Sequence, residues 1–269
     1  MNRDLEKLDK IQLWFQSHHN QMIVAFSGGV DSCLTLFLAR KFLGKEKVVA
    51  VISASSSLKK RDLETAINFC KVNDINLEVI ETKEIEDPNY FTNPINRCYF
   101  CKSNLYDELK MIAEKFPNSS ILNGQNKDDF GDYRPGIKAA NEFKVLTPLA
   151  DCDFTKNEIR EIAKYFNLST WDKPASPCLS SRIPYGQEVT IEKLKQIENT
   201  ENFLNDLGFP EVRVRHFNNV AKIEVPKDRL KDLLKIENEI KMKINQFGFF
   251  NCEIDNEGLV SGKLNRVLA

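Results

Sequence analysis

Six residues, Ser27-Gly28-Gly29-Val30-Asp31-Ser32, stand between an apolar run (Met22 to Phe26) and a run with apolar residues at helical spacing, DSCLTLFLARKF. If the first run is a strand of a parallel sheet, this turn lies at the carboxyl edge, where ligands bind. Glycines let the backbone approach an anion and turn its N–H groups toward it. The start of a helix adds partial positive charge, and serine hydroxyls add donors. Asp31 would repel a bare phosphate, so its presence implies a bound Mg²⁺ between acid and phosphate. The lysine-bearing Walker pattern and the dinucleotide GxGxxG are both absent. A tight turn with no ligand is the plain alternative.

The second set of reactive residues is sulfur. The chain has seven cysteines. Cys98 and Cys101 form a CxxC at the start of a predicted helix, where the helix terminus and the adjacent Arg97 and Lys102 favour thiolates. Cys178 lies in a proline-bearing loop, PASPCLSSR. Cys33, Cys70 and Cys252 fall inside predicted elements and read as packing residues, and Cys152 is unassigned. Three thiolates can hold a four-iron cluster and leave one iron open to an exogenous ligand. A structural zinc would want a fourth ligand. Redox or persulfide chemistry, or an incidental CxxC, stays open on these residues alone. Chemistry that needs a histidine base has few candidates, since only His18, His19 and His216 occur.

The elements that must position these groups follow from hydropathy. The chain has 269 residues, 42% hydrophobic, with a net charge of −1. That length suits one large or two modest domains with a real core, and the balanced charge offers no overall field for nucleic acid. No apolar run is long enough to span a membrane, and the polar start MNRDLEKLDKIQLWFQ is no signal peptide, so the cytoplasm is the expected compartment. There cysteines are more often metal-binding, redox-active or buried than disulfide-bonded. Residues 5–20 read as an amphipathic helix. Strands are expected at MIVAF, in KVVAVISASS, at LEVIET, in SSILNGQN and at KVLTPL. Helices alternate with them, the last being FTKNEIREIAKYFN with a capping box from Thr155 to Glu158. This pattern predicts an α/β fold with a parallel sheet covered on both faces. After the loop WDKPASPCLSSRIPYG the order changes to helix, two strands joined by Asn218-Asn219 as a hairpin, a helix over KDRLKDLLKIENEIKMKINQFG, and a strand at NCEID. That is a smaller α+β unit, and the expected domains are 1–184 and 185–269.

The string SGGVDS after the first strand resembles the pyrophosphate loop of the ATP-pyrophosphatases, a superfamily that includes NAD, GMP and asparagine synthetases and several thiolation enzymes. The resemblance implies cleavage of ATP between its α and β phosphates and adenylation of a substrate oxygen. Adenylation suits a chain poor in histidine, because the attacking group then needs nucleophilicity more than a strong base. Four further strings, NRCYFCKSNLY, NGQNKDDFGDYRPGIKAA, WDKPASPCLSSRIPYG and RVRHFNNVAKIEVP, resemble the sulfur transferases of nickel-pincer nucleotide biosynthesis, which serve lactate racemase.

That narrower resemblance implies a reaction. A carboxylate of pyridinium-3,5-biscarboxylic acid mononucleotide is adenylated by Mg·ATP, and sulfur replaces AMP to give a thiocarboxylate, twice over. In one branch a cysteine matching Cys178 gives up its own sulfur. The added Cys98 and Cys101 resemble the branch in which three cysteines hold a [4Fe-4S] cluster whose open iron carries the sulfide. By the same resemblance Ser27, Gly28, Gly29, Asp31 and Ser32 hold pyrophosphate, with Asp31 near Mg²⁺, while Ser53 and Gly124 flank adenosine. Ser180, Ser181 and Arg182, following Cys178, would bind the substrate phosphate; Arg213 and Arg215 alternate along a strand, so they share a face, and two guanidiniums on one face suit a phosphate; Glu201 and Glu224 match acidic family positions. Asp128, Asp129 and Arg134 shape the site or merely cap their loop. The plain alternatives are ordinary strand ends at Ser53 and Gly124, and a solvated strand face at Arg213 and Arg215. A homo-oligomer, an upstream pyridinium dicarboxylate synthase and a downstream nickel-inserting protein are the partners implied. The rival readings are a tRNA thiolation enzyme, which would want a basic surface, an ammonia-using synthetase, which leaves the CxxC without a task, and a nucleotide-sensing or cluster-carrying module without turnover.

Overall fold

The structure is a computed structural model that describes residues 2–18, 20–131, 135–260 and 262–268. In chain order the elements are α1 (Asn2–Ser17), β1 (Met22–Ala25), α2 (Val30–Leu43), β2 (Val48–Ser53), α3 (Lys60–Val72), β3 (Asn76–Ile80), the single turn α4 (Pro88–Phe91), α5 (Arg97–Glu114) and β4 (Ser120–Leu122). There follow α6 (Pro135–Glu142), the single turn α7 (Pro148–Asp151), α8 (Lys156–Tyr165), α9 (Ile191–Asp206), β5 (Arg213–Phe217), β6 (Val220–Glu224), α10 (Leu230–Lys235), α11 (Glu237–Ile244) and β7 (Asn251–Ile254). The chain divides into two compact units, one of Met1–Glu84 with Asn96–Ser176 and one of Ile85–Ile95 with Pro177–Ala269. The boundary expected at 184/185 falls inside the second unit, because Leu179–Arg182 packs with α9 and β5.

The first unit is built on a parallel sheet of order β3-β2-β1-β4. Its central strands are apolar as far as Ala25 and Ile52, and successive side chains leave opposite faces. Met22 and Val24 of β1, with Val48, Ala50 and Ile52 of β2, enter the core shared with α1, α2, α3 and α8. Ile23 and Ala25, with Val49 and Val51, enter the core shared with α5 and α6. Both faces are therefore covered, as the unbroken hydrophobic runs predict. The strand expected at KVLTPL shrinks to one parallel bridge between Leu146 and Leu122. Pro148 lacks an N–H to continue the ladder and instead opens α7. α8 begins with the capping box read from sequence: Thr155 accepts from the Glu158 N–H, and Glu158 accepts from the Thr155 N–H at 2.8 Å.

The second unit carries a three-stranded sheet, β5-β6-β7, antiparallel across the first pair and parallel across the second. Asn218 and Asn219 both take positive φ, +46° and +70°, the left-handed pair that a two-residue hairpin requires. The single helix expected after β6 is interrupted at Ile236 (φ −109°, ψ 13°). Two short helices result, one burying Leu233 and the other Ile240 and Ile244. Among the described residues no helix is long and apolar enough to cross a membrane.

Candidate functional site

The glycine turn joins β1 to α2 at the carboxyl edge of the sheet. Gly28 sits at φ +69°, and a Cβ there would come within 3.0 Å of the Ala66 Cβ on α3. Gly29 is the N-cap of α2 and has no side-chain cap. None of the N–H groups of Gly28, Gly29, Val30 and Asp31 bonds to a described residue. Several backbone donors at an uncapped helix start form a cradle for an anion. The two serines brace it. Ser32 Oγ donates to the Gly29 carbonyl at 3.1 Å and lies 3.0 Å from Ser27 Oγ. Gly124, at the end of β4, is forced by this loop: a Cβ would stand 2.6 Å from Ser32 N and 2.8 Å from the Asp31 carbonyl carbon.

Asp31 faces a lysine that the motif reading did not include. Lys156, the first residue of α8, ion-pairs with its Oδ2, and Asn126 Nδ2 reaches its Oδ1 at 3.4 Å. The signal in sequence was the capping box, which fixes Lys156 as the first helical residue. Asp128 and Asp129 act as turn acceptors, Asp128 for the Lys156 N–H at 2.8 Å and Asp129 for the Asn126 N–H at 3.0 Å. Arg134 lies outside the described residues. Ser53, at the end of β2, bonds Thr82 at 2.6 Å, and Thr82 bonds the buried Glu84. Both oxygens of the Asp31 carboxylate thus face donors, the Lys156 ammonium and the Asn126 amide.

The seven cysteines fall into two classes. Cys33, Cys70, Cys152 and Cys252 are buried. Burial pushes the Cys33 and Cys70 thiols up to about 12 and Cys152 to about 11, and raises Cys252. These are inert packing residues, including the unassigned Cys152. Cys98 is exposed, and Cys101 and Cys178 are half-buried. Cys98 and Cys101 stand one turn apart on α5 in the first unit, and Cys178 begins the Leu179–Arg182 turn in the second. Among the described residues no group of three or more His, Cys, Asp or Glu side chains is gathered to hold a metal ion.

In the second unit the predicted phosphate residues divide by how much of their bonding is already used. Arg182 is 1% exposed and bidentate to Glu201, at 2.8 and 3.2 Å. Its remaining donor binds the carbonyls of Pro177 and Cys178 and the Ser181 hydroxyl at 2.7, 3.2 and 2.9 Å. Ser180 is fully buried against the Tyr90 hydroxyl at 2.5 Å. These two hold the Cys178 turn. Arg215 pairs with Glu224 at 3.0 Å and donates to the Ser181 carbonyl at 2.7 Å, yet its buried Nε has no hydrogen-bond partner among the described residues. It lines a cavity of about 340 Å³ with Tyr185, Phe217, Lys222, Glu224, Asp255 and Lys263. The Arg213 side chain, half-buried, has no hydrogen bond or ion pair with another described side chain, while its backbone pairs with Glu224 in the β5–β6 ladder. Burial, with Arg182 and Arg215 nearby, pushes its guanidinium below the usual range. An anion arriving there would relieve that repulsion.

Residues 9–116 match the family model described as NAD synthase. The chain is 34% identical to the pyridinium-3,5-bisthiocarboxylic acid mononucleotide synthase of Lactiplantibacillus plantarum, over 92% of this chain and 90% of that protein. The chain belongs to this synthase family. An uncharacterized protein of Synechocystis sp. is 42% identical over 97% of this chain and 98% of its own length. One component of the glutamine-hydrolyzing GMP synthase of Sulfurisphaera tokodaii is 30% identical over 54% of this chain and 43% of its own. Within the family the α/β domain and the glycine turn mark a nucleotide-using enzyme, and the small second unit is part of the shared length.

Proposed function

We propose that the protein is an ATP-dependent sulfur transferase acting on pyridinium-3,5-biscarboxylic acid mononucleotide. A substrate carboxylate oxygen attacks the α-phosphorus of ATP, the Pα–O–Pβ bond breaks and pyrophosphate leaves. A sulfur nucleophile then attacks the acyl carbon, AMP departs, and a thiocarboxylate results; a second round gives the bisthiocarboxylate. The observation that carries this reading is the uncapped glycine turn, four backbone donors beside Asp31 and Lys156, in a chain aligned over nine-tenths of its length with a synthase of that product.

The turn's N–H groups and the Lys156 ammonium would bind the β- and γ-phosphates and stabilise them as they depart. Mg²⁺ held by Asp31 would neutralise further charge on the leaving pyrophosphate. Ser53 and Gly124 would border adenosine. Arg213 and Arg215 are the phosphate ligands that the bonding pattern favours, with Ser180, Ser181 and Arg182 shaping the turn and Glu201 and Glu224 fixing the two paired arginines. Cys98, Cys101 and Cys178 would ligate a [4Fe-4S] cluster that leaves one iron able to carry the incoming sulfide. The enzyme would work in the cytoplasm as a homo-oligomer, between a synthase that supplies the dicarboxylate nucleotide and a protein that inserts nickel into the product.

The test is anaerobic purification with iron and sulfide analysis, then pyrophosphate release and product mass on adding the dicarboxylate nucleotide to the protein with Mg·ATP and sulfide. Release that depends on this nucleotide, with sulfur in the product, is expected. Cys98→Ala, Cys101→Ala and Cys178→Ala should each lose the cluster. Iron-free protein in which only Cys178→Ala is inactive, with a mass loss of H₂S from the spent enzyme, would move the donor to Cys178 itself. Pyrophosphate release driven by ammonia or tRNA instead would overturn the substrate assignment.

A further inference from the structure

The glycine turn is gripped from behind by a residue that the proposed chemistry leaves unused. Lys173 Nζ donates to the Gly28 carbonyl at 3.1 Å. The same ammonium pairs with Asp62, in the first turn of α3, at 3.0 Å. Asp62 also accepts from the Ser176 hydroxyl at 2.7 Å. Both ends of the ion pair are largely buried, with side chains 20% and 16% exposed. Burial works against the Asp62 charge, and the bonds from Ser176 and Lys173 outweigh it, so its pKa lies below the usual range. Arg160 fixes the segment in turn, donating to the carbonyls of Trp171 and Lys173 at 2.7 and 2.8 Å.

We propose that Lys173 is a positioning residue for the pyrophosphate loop, setting the orientation of the Gly28–Gly29 peptide. In a trans peptide the carbonyl of one residue and the N–H of the next point in opposite directions. A lysine bound to the Gly28 carbonyl therefore turns the Gly29 N–H away from Lys173, and that N–H bonds to no described residue. Gly28, at φ +69°, takes the left-handed conformation that glycine adopts without steric cost. Its backbone needs an outside hold, because neither Ser27 nor Ser32 bonds to its carbonyl. Lys173 also carries a positive charge behind the loop, and Asp62 offsets that charge. The two partners of one ion pair thus act on the loop with opposite sign. Removing Lys173 frees the peptide and removes a cation, whereas removing the Asp62 charge keeps the bond to Gly28 and leaves the cation uncompensated.

The inference rests on the glycine turn binding pyrophosphate, and the experiment separates the two. Calorimetric titration of the full chain with Mg·pyrophosphate and with Mg·ATP compares wild type with Lys173→Met, Lys173→Arg and Asp62→Asn, with thermal melts alongside. Lys173→Met should weaken pyrophosphate binding at least tenfold. Lys173→Arg, whose guanidinium can still donate to the carbonyl, should recover to within about threefold of wild type. Asp62→Asn should bind pyrophosphate as tightly as wild type or more so, even where its melting temperature falls. Equal weakening in Lys173→Met and Asp62→Asn would reduce the pair to a structural brace, and unchanged binding in Lys173→Met would remove Lys173 from the loop; either overturns the inference. Wild type that failed to bind pyrophosphate would overturn the loop assignment itself.

Discussion

Replacing Glu201 with alanine isolates what the buried ion pair of the second unit does. Glu201 and Arg182 side chains are 2% and 1% exposed, joined by two hydrogen bonds, and Glu201 Oε1 also accepts from the Val214 N–H at 3.0 Å. Deleting the carboxylate leaves a guanidinium buried with its principal counter-charge gone, a loss of about 3–5 kcal/mol. The orphaned Val214 N–H adds about 1–3 kcal/mol more, not fully additive. For a unit of this size each kcal/mol moves the midpoint by about 4–8 °C, so the second unit should melt lower by roughly 15 °C or more. Differential scanning calorimetry should resolve this as an early transition. The double variant Glu201→Leu with Arg182→Met removes both charges and should recover to within about 2 kcal/mol of wild type. It also removes the bonds from Arg182 to the Pro177 and Cys178 carbonyls, so its stability should return while sulfur transfer does not. A Glu201→Ala melt within a few degrees of wild type, or a double variant as active as wild type, would refute this account of the turn.

Thiol labelling of the native protein under anaerobic, cluster-free conditions should modify Cys98, Cys101 and Cys178 quickly and the other four cysteines only after denaturation, read by peptide mass mapping. His216 is buried and held near 4, by burial first and then by Lys193. The unfolded state, with its usual value of 6.5, takes up a proton first, so stability should fall as pH drops from about 6.5 to 4, by up to about 3 kcal/mol. His216→Gln should flatten the upper part of that window in a urea-stability profile, about pH 6.5 to 5.5, above the range where the carboxylates titrate. Gly124→Ala puts a methyl against the backbone of Asp31 and Ser32, and should cost about 1–3 kcal/mol and weaken Mg·ATP binding more than tenfold by distorting the turn.

The layered sheet was legible in sequence because β1 and β2 up to Ile52 are apolar and α8 opens with a capping box. KVLTPL misled for a local reason: its composition suits a strand, but Pro148 withholds a donor and starts a helix. The break at Ile236 had no punctuation, neither Gly nor Pro, and depends on burying Ile240 and Ile244, which a linear reading does not contain. The glycine turn could be read directly, since spacing and element type define it, and Cys98, Cys101 and Cys178 are more exposed than the four cysteines read as buried or left unassigned. Lys156 and Lys173 could not be read this way. Each acts on the turn across more than 120 residues of chain, and nothing in a lysine's neighbours in sequence reveals which distant carboxylate or carbonyl it meets. The pairing of Glu201 with Arg182 and of Glu224 with Arg215 was hidden in the same way, although all four residues had been singled out.

Those two buried pairs also bear on where substrate phosphate would bind. A buried arginine–glutamate pair gives little stability over an apolar pair of similar volume, because both ions lose water. Their physical effect here is to fix geometry: Arg182 ties down the carbonyls of Pro177 and Cys178, and Arg215 ties down that of Ser181. With both guanidiniums neutralised by their own carboxylates, the charge left for an incoming phosphate is that of Arg213, half-buried and repelled by its two neighbours. The donor left over on Arg215, its buried Nε, adds direction rather than net charge. Arg213→Gln should therefore raise the KM for the nucleotide substrate by about 1.5–3 kcal/mol of binding, the worth of a charged hydrogen bond, with kcat and melting temperature little changed. Glu224→Gln should lower the melting temperature instead, since it leaves Arg215 buried beside an amide. A larger KM effect from Arg182 than from Arg213, in variants matched for stability, would reverse the division of labour argued from these bonds.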